Sequence, residues 1–140
     1  MSPHDFNVFN VFTYGSLMFP EVWRRVVRGE YRSAPAVLDG HARYALAGET
    51  YPGTIARSGA SVAGIVYFDV SDADVAALDA FEGSEYRRDR VQVRLASGEA
   101  ADAQTYIYLL PQKLSESPWL PETFQMQRFL GTYCRERLGE

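Results

Sequence analysis

The sequence predicts an α+β fold: a small mixed or antiparallel β-barrel with peripheral helices. Three observations lead there. Segments rich in β-branched and aromatic residues dominate the chain. Only three stretches carry helical spacing, and they do not alternate regularly with the strands, which argues against a doubly wound parallel sheet. The 140 residues form one domain, 1–140, long enough to bury a core without disulfides or metal.

Taken in order, Val8 to Tyr14 reads as a buried first strand, broken by Gly15-Ser16-Leu17. Pro20 to Gly29 reads as a short amphipathic helix, with proline in its first turn, acid early, arginine late and glycine past its end. Tyr31 to Leu46 suggests one or two strands interrupted at Asp39-Gly40, followed by a loop around Tyr51-Pro52-Gly53. Val62 to Val70 is a strand. Ser71 is a fitting N-cap for a helix running to Glu82, with Asp74 placed for a capping box and Gly83 as the stop. Val91 to Leu95 and Thr105 to Leu110 read as a hairpin with a loop longer than two residues. Pro111 to Pro121 is a connector. Glu122 to Leu138 reads as a closing helix with Phe124, Phe129, Leu130 and Tyr133 as its apolar positions.

The bulk numbers exclude several classes. Lys and Arg number 14 against 18 Asp and Glu, a net charge of −4, which argues against nucleic acid or an anionic membrane as partner. Arg24, Arg25 and Arg28 still make a local basic face. No apolar run is long enough to span a bilayer, and Met1-Ser2-Pro3-His4-Asp5 lacks the pattern of a secretory signal. Cys134 is the single cysteine, so a reducing, cytoplasmic setting is expected. His4 and His41 are too isolated to suggest a metal site. There is no P-loop and no dinucleotide fingerprint. No metal or organic cofactor is expected.

Chemistry concentrates in two places. The first is Tyr14-Gly15-Ser16-Leu17, where a glycine lets a ligand approach the backbone and successive N–H groups could cradle an anion. Most strand–glycine junctions are only turns, which is the competing explanation. The second is Glu82. At 3.6 residues per turn it falls on the Val75–Leu78 stripe that should face the interior. It also sits in the last helical turn, where the dipole disfavours negative charge. Both effects raise a carboxyl pKa and favour a general acid/base. The alternative is a side chain that snorkels to solvent at a frayed end. A solvated charged turn explains Glu85, Arg87 and Arg90; it explains Glu82 poorly. Cys134 reads as buried packing.

Together, Tyr14-Gly15-Ser16-Leu17, Tyr51-Pro52, Gly64-Ile65-Val66-Tyr67 and the run from Leu78 to Arg88 resemble the γ-glutamylcyclotransferase-like family. The similarity is to the branch of γ-glutamylamine cyclotransferases and plant avirulence-induced proteins. The matches run in order from about Val8 to Tyr108, and Trp119 to Leu138 resembles the extra helix of plant-like members. The resemblance implies a β-barrel with a cavity in which Tyr14, Gly15, Ser16 and Leu17, with Tyr86, bind the substrate, and it maps the catalytic glutamate onto Glu82. It implies a small-molecule γ-glutamyl substrate whose own α-amine attacks its γ-carbonyl, giving 5-oxoproline and a free amine. That is an intramolecular acyl transfer. A γ-glutamyl-removing enzyme of specialised metabolism and a non-catalytic small-molecule-binding or stress-response module are the alternatives; hydrolysis by the first yields glutamate, the second no product.

Overall fold

A computed structural model describes residues 8–139, so the Met1–Asp5 opening and His4 lie outside the described residues. The chain forms β1 (Val8–Thr13), a 3₁₀ turn (Ser16–Met18), α1 (Pro20–Val26), β2 (Ser33–Leu46), β3 (Pro52–Ser71) and α2 (Asp72–Glu82). It continues through β4 (Tyr86–Leu95), β5 (Ala100–Tyr108) and β6 (Leu114–Pro118) to a closing helical stretch. Among the described residues the six strands are ordered β3-β1-β5-β4-β2-β6, and β3 also pairs with β2. Five strands therefore close into a ring, and β6 hangs from the far end of β2. The fold is α+β, and the sheet is mixed: β1 meets β5 in parallel, and the other pairings are antiparallel.

The strands run further than the local sequence suggests. β2 is one strand, and Asp39-Gly40 is a bulge where the register slips, with Gly40 at φ 75°. β3 starts at Pro52, so the expected Tyr51-Pro52-Gly53 loop ends at Tyr51; proline takes the first position of the strand, opposite Ala45. β4 begins at Tyr86, because the charged stretch Arg87–Arg90 pairs with Gln104 to Ile107. The expected connector from Pro111 to Pro121 contains β6, which pairs with β2.

The closing helix is shorter than expected. Helical structure starts at Met126 (α3, Met126–Phe129), passes through a π-helical turn at Leu130–Cys134 and ends in α4, Arg135–Leu138. Residues 119–125 hold only a 3₁₀ turn at Pro121–Thr123. Proline disfavours helical geometry at the residue before it. Phe124 is held extended, with its ring stacked on Phe19 at 4.9 Å and tilted against Trp119 at 5.6 Å. Aromatic docking outweighs helical spacing in this stretch.

Period-two alternation along β1 builds two cores. Phe12 and Tyr14 join Leu38, Val62, Val66 and Val93 inside the ring. Val11 faces outward, with Val22, Trp23, Val75, Leu78 and Phe129 of the helices. Gly64 explains itself here: a Cβ would lie 2.1 Å from the Thr13 carbonyl oxygen, so β1 and β3 can pair only over a glycine. A cavity lies where the two cores meet.

Candidate functional site

The first wall is the turn after β1. Tyr14 is buried and pinned at both ends: its hydroxyl donates to the Tyr106 carbonyl, and its own carbonyl accepts from Arg43 Nη1 at 2.7 Å. Arg43 also lies over Trp119, with Cζ 5.2 Å from the ring centre. The chain then turns through Ser16–Met18, closed by the Met18 N–H on the Gly15 carbonyl at 3.0 Å. Among the described residues, the N–H groups of Gly15, Ser16 and Leu17 donate to no other backbone group. Gly15 has φ −128°, so positive φ is not what calls for a glycine there. The demand comes from Pro52, which packs against it.

The second wall is the end of α2. Ser71 caps the helix by accepting from the Asp74 N–H at 3.2 Å. Asp74 does not complete the capping box. Its carboxylate turns to the loop after α1, accepting from the N–H groups of Arg28 and Gly29 and from the Tyr31 hydroxyl. Val75, Leu78 and Phe81 bury the inner face, and Glu82 completes it. Gly83 then stops the helix at φ 81°, a conformation that disfavours any other residue.

These walls line a tight cavity with a free volume of about 20 Å³. Tyr14, Gly15, Ser16, Leu17, Glu82 and Tyr86, all singled out from sequence, line it together. Glu82 is half-buried as a residue, and the surroundings of its carboxyl push its pKa up from the ordinary 4.5 to about 8. Burial is the main cause; Arg137 opposes it and Asp79 adds to it. Burial also raises the Tyr14 and Tyr86 hydroxyls well above 10, and the nearby Glu82 charge adds to both shifts. Both tyrosines therefore stay neutral hydrogen-bonding groups. The Tyr86 hydroxyl donates to the Pro52 carbonyl at 2.7 Å.

Sequence reasoning missed six lining aromatics as site residues: Phe12, Tyr51, Phe81, Tyr106, Phe129 and Tyr133. The available signal was a tyrosine hydroxyl on the apolar stripe of the closing helix, since a buried hydroxyl needs a partner. Tyr133 finds one at the end of α2, donating to the carbonyls of Phe81 (2.7 Å) and Glu82 (3.0 Å). Tyr106 donates to Asp79 Oδ1 at 2.7 Å. The charged turn serves structure: Glu85 pairs with Tyr108 and Lys113, Arg87 with Asp89, and Arg88 with Asp79. Cys134 is buried. Among the described residues there is no acidic, histidine or cysteine group fit to hold a metal, and no helix is long and apolar enough to cross a membrane.

The arrangement brings one carboxyl of raised pKa, a turn whose N–H groups donate to no other backbone group among the described residues, and several aromatic rings to the same cavity. Known proteins share its framework. A sequence model described as γ-glutamyl cyclotransferase, AIG2-like, matches residues 11–123. Protein AIG2 C of Arabidopsis thaliana is 36% identical over 110 residues, covering 78% of this chain and 67% of that protein. AIG2-like protein D of the same plant is 36% identical over 104 residues, covering 74% and 68%. A solution structure from Arabidopsis thaliana superposes with a TM-score of 0.71 at 30% identity, covering 93% of this chain and 82% of that one. A structure described as γ-glutamyl cyclotransferase shares the fold, with a TM-score of 0.65 at 19% identity over 94% and 80% of the two chains. The chain belongs to the AIG2-like γ-glutamyl cyclotransferase family.

Proposed function

We propose that this protein is a γ-glutamyl cyclotransferase that cleaves a γ-glutamyl amine or short γ-glutamyl peptide to 5-oxoproline and a free amine. The observation that carries the reading is the placement of the Glu82 carboxyl in one cavity with the Gly15–Leu17 turn. In this chemistry the α-amine attacks the γ-carbonyl carbon, a five-membered ring closes, and the C–N bond to the leaving amine breaks. Because the reaction is intramolecular, the protein mainly folds the glutamyl chain and moves a proton. Ionised Glu82 takes the proton from the α-ammonium, and the same carboxylic acid then returns it to the departing nitrogen. With a pKa of about 8, roughly one Glu82 in ten is ionised at pH 7 in the free protein. A bound α-ammonium beside it raises that fraction, so the base is made by its own substrate. In this reading the N–H groups of Gly15 to Leu17, which donate to no other backbone group among the described residues, bind the substrate carboxylate or the oxyanion that develops at the γ-carbon. Tyr51, Phe129 and Tyr133 keep water from competing with the amine.

The test is incubation with a panel of γ-glutamyl amines and peptides, including glutathione and a γ-glutamyl-lysine isopeptide, with mass-spectrometric detection of products. 5-Oxoproline is the expected product. Glutamate instead would make the protein a hydrolase, and ligand binding with neither product would make it a binding module. The family's small-molecule setting and the net charge of −4 favour no nucleic-acid partner.

A further inference from the structure

Phe129, Tyr133 and Arg137 lie beyond residues 11–123, the stretch the family model matches, yet Phe129 and Tyr133 line the cavity. The end of α2 leaves its last carbonyls without intrahelical partners, and Glu82 is the last residue of that helix. Tyr133 supplies the missing donor to Phe81 and Glu82 from another element 51 residues away. The hydroxyl is presented by a π-helical turn, a local widening of the helix often found at functional sites. The Arg137 guanidinium lies over the Tyr133 ring, with Cζ 4.6 Å from the ring centre. It also seats on Gly83, where a Cβ would come within 2.0 Å of its Nη1. The tyrosine hydroxyl, the glycine stop and the arginine charge thus converge on the residue that carries the carboxyl.

We propose that the closing helix is part of the working site: Tyr133 fixes the end of α2 from which Glu82 projects, and Arg137 places a fixed positive charge beside that carboxyl. Both are positioning residues that act through Glu82. The groups facing Glu82 come from every neighbouring element: Asp79 on its own helix, Tyr14 after β1, Tyr86 on β4, Tyr106 on β5, and Tyr133 and Arg137 on the closing stretch. The tyrosines are neutral through the working range, since burial raises all four. Asp79 is held by Tyr106 and Arg88. Arg137 is therefore the charge that favours the ionised carboxylate.

The experiment reads Glu82 directly, so it stands apart from the proposed reaction, on which only its activity arm rests. Carboxyl-¹³C glutamate labelling with NMR titration follows Glu82, whose signal is assigned by its loss in Glu82→Gln. Arg137 is exposed at the surface, so its substitution should leave the fold intact. In Arg137→Gln the titration midpoint should rise by about half a pH unit or more, and Arg137→Lys should return most of it. If the wild type forms 5-oxoproline, kcat/KM at pH 7 should fall about threefold in Arg137→Gln. Tyr133→Phe, which keeps the ring under Arg137, should lower kcat far more than it changes KM. An unmoved Glu82 midpoint in folded Arg137→Gln would overturn the role of Arg137. A kcat in Tyr133→Phe equal to that of the wild type would overturn the role of Tyr133.

Discussion

Gly15 and Pro52 are packed so closely that a Cβ on Gly15 would lie 2.9 Å from both Cγ and Cδ of the proline ring. Pro52 in turn accepts the Tyr86 hydroxyl through its carbonyl at 2.7 Å. Three pieces of sequence far apart in the chain are thereby fastened together: the turn after β1, the start of β3 and the start of β4. The N–H groups of Gly15 to Leu17, which donate to no other backbone group among the described residues, ride on this junction, so the shape of the turn is set before any ligand arrives. Such preorganisation costs nothing at the moment of binding or reaction.

Replacing Gly15 tests that junction. Gly15→Ala should destabilise the fold by about 1–3 kcal/mol as the proline ring is forced away, and Gly15→Val should cost more. A loss of turnover in either variant reports a displaced wall, so it does not by itself show a blocked substrate. Chemical denaturation with kinetics on the same samples separates the two effects. Wild-type stability in Gly15→Ala would mean that the junction is slack.

Glu82→Gln removes the proton acceptor and keeps the shape. On a verified substrate, kcat should fall by about 10²–10⁴-fold with little change in KM. The variant should stay folded, because Gln at this position avoids placing a charge in a poorly solvated cavity. Steady-state kinetics decide the matter, and near wild-type turnover would remove Glu82 from the mechanism.

Arg43 holds the Tyr14 carbonyl at 2.7 Å and the Ala63 carbonyl at 3.2 Å. Arg43→Met keeps an unbranched side chain and removes both Nη1 hydrogen bonds together with the guanidinium over Trp119. The expected cost is about 1–3 kcal/mol, because the acceptors are left without their charged partner. If the turn after β1 binds substrate, KM should rise as well. Arg43→Lys, a single flexible donor, should recover only part of either effect.

The α+β class and most strands were legible because β-branched and aromatic runs obey a two-residue period that burial enforces. The capped helix to Glu82 was legible because Ser71 and Gly83 mark its ends through local chemistry. What stayed hidden depends on partners distant in sequence. β3 reaches back to Pro52 because β2 is there to pair with it, and the charged residues from Arg87 to Arg90 join β4 because β5 supplies a ladder. The late start of the closing helix follows from the docking of Phe124 on Phe19. Within the site, Glu82 and the Tyr14–Leu17 turn stand out as local anomalies, a core-facing acid and a glycine break. Tyr51, Phe129 and Tyr133 look like ordinary core aromatics until the tertiary fold places them around the same cavity.

The pH dependence of both activity and stability follows from one ionisation. Folding raises the Glu82 pKa from an ordinary 4.5 to about 8. The folded protein therefore holds this proton more tightly than the unfolded chain does. The stabilisation that results is fully present below the unfolded value, shrinks as pH rises through the window from about 4.5 to about 8, and is gone above it. Glu82→Gln has no such ionisation. Its stability relative to wild type should climb across that window and level off beyond it, which denaturant titrations near pH 4, 6 and 9 will read. In kinetics the same group must lose its proton before it can act as a base. The acidic limb of kcat/KM should therefore lie well above the usual carboxylate range, once substrate ionisations are accounted for, and should be absent from any residual activity of Glu82→Gln. A bound α-ammonium favours the carboxylate, so the limb in kcat should lie below that in kcat/KM. A stability difference that does not change with pH, together with a limb near 4.5, would return Glu82 to the surface as a solvated residue.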